Sequence, residues 1–325
     1  MAFRAGVVVL FALVCILTFA TSANNNRPII GVLTQPTSVK YHPNNIEQQY
    51  ITASYIKFVE MSGARAVHIP FDAPKEELKR LFNGVNGLLY TGGMLDMKNG
   101  TQYFDNGLYL YSLALEANAK GDYFPIWGTC QGFQLFHVFA AELLDENIMM
   151  EHFDSWDISY PLVFDVANTK RSRMFGPDSG VTDAILHDFA TRPLTMNFHH
   201  LGVSRETYKK YPAADAFFRI LSTNKDRQGK EFISIVEAKN YPIYGVQFHP
   251  EWPLFEWDSS SDVNHSQESI RANSYFSSFF VNECRKNNHK FRTIKEEREA
   301  LIYNYSPVST ELTAGDVQTY YWDLL

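Results

Sequence analysis

Pro125-Ile-Trp-Gly-Thr-Cys-Gln-Gly-Phe-Gln134 is the stretch on which the reading of this chain turns. An apolar run feeds a Gly-x-Cys-x-Gly turn, and a helix is expected from about Phe133. This is the pattern of a nucleophile elbow. The reactive residue sits on a sharp strand-to-helix turn, flanked by small residues because the backbone passes too close for side chains. A thiol at Cys130 would face the positive end of the following helix, which favours the sulfur anion that attacks carbon. Taken alone, the same motif also describes a buried structural cysteine in a glycine-rich turn.

Upstream, Pro28 to Thr34, Arg65 to Pro70 and Gly87 to Gly93 are further apolar runs that read as strands. Tyr50 to Ser62, Pro74 to Phe82 and Leu108 to Lys120 carry helical spacing, and Gly63 stops the first. Such regular alternation predicts βαβ units and a parallel sheet covered on both faces, an α/β fold. Ligands of such sheets bind at the carboxyl ends of strands, where Gly92-Gly93 and Cys130 fall. Downstream, Leu162 to Val166, Phe218 to Ser222, Glu231 to Glu237 and Pro242 to Phe248 are strand candidates. A helix from about Ser266 to Cys284 follows, then a charged run, Arg285 to Glu299, that reads as a solvated helix face. Tyr320-Tyr-Trp322 is expected to pack on the body or on a partner. Neither a repeat nor a low-complexity linker divides the chain, so one domain over 24–325 is expected.

Residues 1–23 have the three parts of a secretory signal peptide: Arg4, an apolar run from Val7 to Ala20, and the small residues Ala20 to Ala23. Roughly 14 apolar residues are few for a membrane span. The sequons at Asn99, Asn264 and Asn304 agree with a secretory route as surface glycosylation sites, although Pro307 weakens the last. Cys15 would leave with the leader. Cys130 and Cys284 stand in unrelated contexts and are expected as two free thiols.

The net charge of −7 argues against a nucleic-acid partner, whose binders carry a basic face. An acidic substrate would need a local cation, and Lys98, Arg171 and Arg173 are candidates by their place in loops. No second apolar stretch suggests a membrane partner. The histidines outside the motifs show no metal-ligand spacing, and no glycine-rich phosphate loop is present, so no metal or cofactor is expected.

The partner expected for Cys130 lies in Gln247-Phe-His-Pro-Glu251. Pro250 biases His249 toward extended backbone, where residues two apart share a face, so His249 and Glu251 point the same way. A carboxylate beside an imidazole fixes its tautomer and stabilises its charged form.

Gly-x-Cys-x-Gly-x-Gln at 128–134 together with Gln-Phe-His-Pro-Glu at 247–251 resembles the class I glutamine amidotransferases. That resemblance implies a flavodoxin-like sheet and a Cys-His-Glu triad. The leader, Asn197-Phe198-His199 and the extension Pro253 to Trp257 narrow it to the γ-glutamyl hydrolase family. The resemblance then implies Cys130 as nucleophile, His249 as base and Glu251 as its orienter, with Gly93 and the Gln131 amide as oxyanion hole. His199, Gln134 and Gly92 fall near the substrate. The implied activity is hydrolysis of the γ-glutamyl bonds of folate poly-γ-glutamates through a thioester, by a homodimer in lysosome or extracellular space. Alternation places Asn197 and His199 on one face, expected to look into the cleft, and Phe198 and His200 on the other. Two alternatives stay open: an α/β-hydrolase with a cysteine nucleophile, and a catalytically silent secreted binding protein on the same scaffold.

Overall fold

The computed structural model describes residues 24–37, 47–141 and 151–325; the leader read over 1–23 lies outside them. Its centre is an eight-stranded sheet. The spatial order is Arg65–Ile69, Ile29–Leu33, Leu88–Tyr90, Ile126–Thr129, Ile243–Val246, Glu231–Ala238, Phe218–Lys225 and Val163–Phe164. The first five strands pair in parallel and the last three antiparallel. This is the α/β architecture that the alternating pattern predicts.

The parallel strands are buried on both faces, as their unbroken apolar runs require. Leu88, Ile126 and Ile243 join one core with Phe133 and Phe136 of the helix after the elbow. Leu89, Trp127 and Tyr244 join the other with Phe276, Phe279 and Phe280. Those three phenylalanines lie three and four apart on helix Gln267–Cys284 and so share one face. The Ser266 hydroxyl caps that helix by accepting from Ser269 N–H at 3.2 Å. Trp127 packs against that face, with ring centroids 5.9 Å from Phe276 and 5.7 Å from Phe280. Cys284 ends the helix as a buried free thiol, as Cys130 is free at the other end of the sheet.

Local pattern misplaces several boundaries. The segment read as helix from Tyr50 is strand over Gln48–Thr52, and its helix starts only at Ala53. The reason is long-range. Gln48–Thr52 pairs antiparallel with Gln318–Asp323 and with Gln35–Pro36, so Tyr320 lies opposite Ile51 in a four-stranded ribbon. The aromatic end therefore packs as a strand rather than as loose side chains. The helix expected from Leu108 begins at Gln102, where the Thr101 hydroxyl accepts from Phe104 N–H. In the charged run only Ile294–Ala300 is helical, and none of its residues is buried.

Glu151–Tyr160 and Thr195–Gly202 form a separate two-stranded antiparallel sheet with two irregularities in register. The second strand contains the segment expected to be extended around Asn197 to His199, while its partner escapes the sequence reading. Among the described residues, no helix is long and apolar enough to cross a membrane.

Candidate active site

The elbow is built as its glycines require. Cys130 has φ 51° and ψ −103°, a conformation an L-residue adopts only under constraint. The constraint is close packing. A Cβ on Gly128 would lie 2.7 Å from the Gly132 carbonyl carbon, and one on Gly132 would lie 2.8 Å from that of Tyr90. Cys130 N–H donates to Val246 O at 2.8 Å, and Gly132 N–H to Thr91 O at 3.1 Å. The turn is thereby pinned between both neighbouring strands. The helix starts at Gln131, two residues earlier than expected, so Cys130 occupies its N-cap position.

Strand Ile243–Val246 runs beside Ile126–Thr129 and delivers His249 to the same end of the sheet. His249 Nδ1 donates to Glu251 Oε1 at 2.7 Å, and the ring lies within hydrogen-bonding reach of Cys130. Burial by itself pushes the imidazole down. The Glu251 carboxylate and the Cys130 sulfur outweigh it and hold the ring up at about 10. Glu251 is fully buried at the start of helix Trp252–Phe255, which keeps its carboxylate fixed beside the ring. Three side chains spread over 121 positions of sequence thus come together, Cys130 and His249 on the cleft wall and Glu251 buried behind the ring.

Gly92 and Gly93 face Cys130 across the cleft. A Cβ on Gly92 would meet His249 Cε1 at 2.6 Å and the Cys130 Cβ at 3.2 Å, so only glycine lets this loop come so close. Gly92 N–H donates to the Tyr55 hydroxyl at 2.8 Å, which also lies 3.4 Å from His249 Nδ1. The Gln35 amide fills the place that a Gly93 side chain would take. Gln35 is held by Tyr50 Oη–H at 3.0 Å and donates to Tyr103 Oη at 3.2 Å. Gln131 opens its helix, where a backbone N–H has no intrahelical acceptor, and its side chain donates to Leu95 O at 2.6 Å. The loop after Gly93 and the first turn of the elbow helix are therefore tied together.

Other expected residues lie elsewhere. His199 is turned away from the cleft: Nδ1 lies 3.0 Å from Leu201 O and Nε2 3.2 Å from Asn197 Oδ1. Burial holds it down at about 3. Phe198, on the opposite face of that strand, lines the cleft instead. Alternation holds, but the two-stranded sheet docks with the other face inward. Gln134 is buried and donates to Leu201 O at 2.9 Å, bracing strand Thr195–Gly202 rather than facing the cleft. Arg173 grips Tyr244 Oη and Tyr241 O at the amino end of its strand, so it lies at the wrong end of the sheet for a substrate carboxylate. Arg171 bonds Ala167 O and lines a separate pocket with Arg219 and Lys239. Lys98 is exposed on the loop that continues from Gly93.

Sequence reading missed Tyr55, Trp156, Trp252 and Asp316, all of which line the cleft. Asp316 comes from the C-terminal ribbon, just after Gly315 at φ 82°. Burial pushes its carboxyl up to about 6. Behind it, burial and then Asp316 push Glu256 up to about 7, while Glu256 accepts from Val317 N–H at 2.8 Å. Nothing local marks Asp316 as part of a site, since it is reached only through strand pairing across the molecule.

The family model described as peptidase C26 matches residues 28–251. Gamma-glutamyl hydrolase B of Dictyostelium discoideum is 39% identical over 290 residues, 88% of this chain and 80% of its own length. The gamma-glutamyl hydrolase of Homo sapiens is 37% identical over 298 residues, covering 91% of this chain and 90% of its own. That of Bos taurus is 39% identical over 302 residues, with the same two coverages.

Proposed function

The chain belongs to the peptidase C26 family, and on that premise we propose that it hydrolyses γ-glutamyl bonds through Cys130, with folate poly-γ-glutamates as substrate. The observation that carries this reading is the convergence of the Cys130 sulfur, the His249 ring and the Glu251 carboxylate beside Gly92–Gly93.

The reaction follows from that arrangement. The Cys130 sulfur attacks the γ-carbonyl carbon while its proton resides on His249. The carbonyl oxygen becomes an oxyanion and points between the amides of Gly93 and Gln131. Each such donor is worth about 2.7–4 kcal/mol in acyl-transfer enzymes. His249 then gives the proton to the leaving nitrogen, the C–N bond breaks and a thioester remains. Water loses a proton to His249 as it attacks the thioester carbon, and the C–S bond breaks to release the γ-carboxyl product. Glu251 holds the ring's tautomer and offsets its charge in both halves.

The same reading carries a secretory route and a homodimer; light scattering on the secreted protein reads the latter. The activity itself is tested by incubating purified protein with pteroyl-tri-γ-glutamate and following products by mass. Loss of glutamate or di-γ-glutamate supports the reading, and an unchanged substrate spectrum refutes it.

A further inference from the structure

A second cavity, of about 380 Å³, shares no wall residue with the Cys130 cleft. Lys239 marks its place. That residue follows strand Glu231–Ala238, which runs antiparallel to Ile243–Val246, so it stands beyond the amino end of the strand that delivers His249 at its carboxyl end. Four cations from four elements meet there: Arg171 after helix Val166–Thr169, Arg205 in helix Arg205–Lys210, Arg219 in strand Phe218–Lys225, and Lys239. Among the described residues of that wall, Asp215 is the one carboxylate. Such a wall runs counter to a chain whose net charge is −7, and like charges gathered in one cavity repel unless something neutralises them.

The protein neutralises two of the four. Arg219 pairs with the buried Glu237, and Arg205 lies 3.5 Å from Glu231 and 3.6 Å from Asp165. The other two are held by neutral oxygens. Arg171 donates to Ala167 O at 3.2 Å and to Asn168 Oδ1 at 3.4 Å, and Lys239 donates to Asp215 O at 2.7 Å. Arg219 in turn donates to Arg171 O at 3.3 Å, which ties the two arginines to one position. These bonds place the charges of Arg171 and Lys239 without cancelling them. Each side chain has more N–H donors than its bonds use. Phe218 and Ile220, both buried, add an apolar patch to the same wall.

We propose that this cavity is a second binding site, for a small organic polyanion that carries two or more phosphate or carboxylate groups. Its volume lies in the range of small-molecule sites, roughly 300–1,000 Å³, and exceeds what a single oxyanion fills. Arg171 and Lys239 take the anionic groups, the guanidinium by paired N–H bonds and the ammonium as a point charge. The apolar patch takes the stem that joins them. Local charge is needed here because the overall field of the chain repels an anion.

Calorimetric titration of the full chain with inorganic pyrophosphate and with citrate tests the site, with acetate as the singly charged control. The wild type should bind at least one of the two polyanions with a stoichiometry of one, at least about tenfold tighter than acetate, since a second anionic group adds charge-assisted bonds. Whichever binds tighter identifies phosphate or carboxylate as the preferred group. Arg171→Ala and Lys239→Ala should each weaken that binding by about tenfold or more. Both residues are exposed, so melting temperature should stay unchanged, and Lys98→Ala, on the far loop, should leave affinity as it is. No turnover is needed, so the result stands apart from the γ-glutamyl reading. Failure of both polyanions to bind overturns the site. So does an affinity that acetate equals, or one that survives the combined Arg171→Ala and Lys239→Ala substitutions, the mark of scattered surface binding.

Discussion

Gly92 N–H donates to the hydroxyl of Tyr55 at 2.8 Å, and this bond fastens the loop that carries Gly93 to the helix Ala53–Glu60. Tyr55 is buried and its hydroxyl also faces His249, so one side chain sets the spacing between the expected oxyanion loop and the expected base. Tyr55→Phe removes the acceptor and leaves Gly92 N–H without it. A buried donor so orphaned costs about 1–3 kcal/mol. The expected outcome is a fall in kcat of about tenfold with KM little changed, read from steady-state kinetics. An unaltered kcat would show that the loop holds its place without Tyr55.

Cys130→Ala should abolish turnover while substrate binding, followed by calorimetry, persists. Turnover within about tenfold of wild type, a barrier change of only ~1.4 kcal/mol, would mean that Cys130 is not the nucleophile. Cys284 is the control thiol. It is buried at the other end of the sheet, packed against Gly87, and burial pushes it well above the usual thiol range. Cys284→Ala should therefore leave kcat/KM unchanged.

Glu251→Gln should cost less activity than His249→Ala, because an amide still positions the ring but cannot stabilise its charge. The pH dependence gives a second readout. His249 is held up at about 10, so the stability it contributes is complete below the ordinary histidine value of 6.5 and is lost as pH rises through about 10. Glu251→Gln removes the carboxylate that sustains this shift. Melting temperature should then fall less steeply between those two values in the variant than in the wild type. Parallel melting curves would remove the Glu251–His249 coupling.

Glu256 gives a test of the same sign in a lower pH window. Burial, with Asp316 beside it, raises its carboxyl from an ordinary 4.5 to about 7, so the folded state favours the protonated form. Stability is then greatest at acid pH and declines as pH climbs from 4.5 through about 7. Glu256→Gln mimics the protonated group and should raise the melting temperature at neutral pH by roughly 2–4 °C, with little change in acid. A variant no more stable than wild type at neutral pH would contradict this account of Glu256.

The sequence by itself determined whatever short-range chemistry can specify. Gly128 and Gly132 mark the elbow because only glycine survives contacts this close, and that requirement is written in the motif. His249-Pro250-Glu251 marks the pair, but not on the extended backbone expected. Pro250 and Glu251 lie in a turn, with Glu251 at φ −77°, ψ −24° and Trp252 N–H donating to His249 O at 3.4 Å, and it is this turn that brings the carboxylate to the ring. Alternating apolar runs likewise settled the parallel sheet. Tertiary structure alone decided what depends on partners far along the chain. Gln48–Thr52 is strand rather than helix because Gln318–Asp323 pairs with it, and the same pairing carries Asp316 into the cleft. The alternation of Thr195–Gly202 fixed its two faces but not which one looks inward. Docking of the two-stranded sheet made that choice, turning Phe198 to the cleft and closing His199 onto Leu201 and Asn197. Periodicity defines a face; only packing against the rest of the molecule says what the face meets.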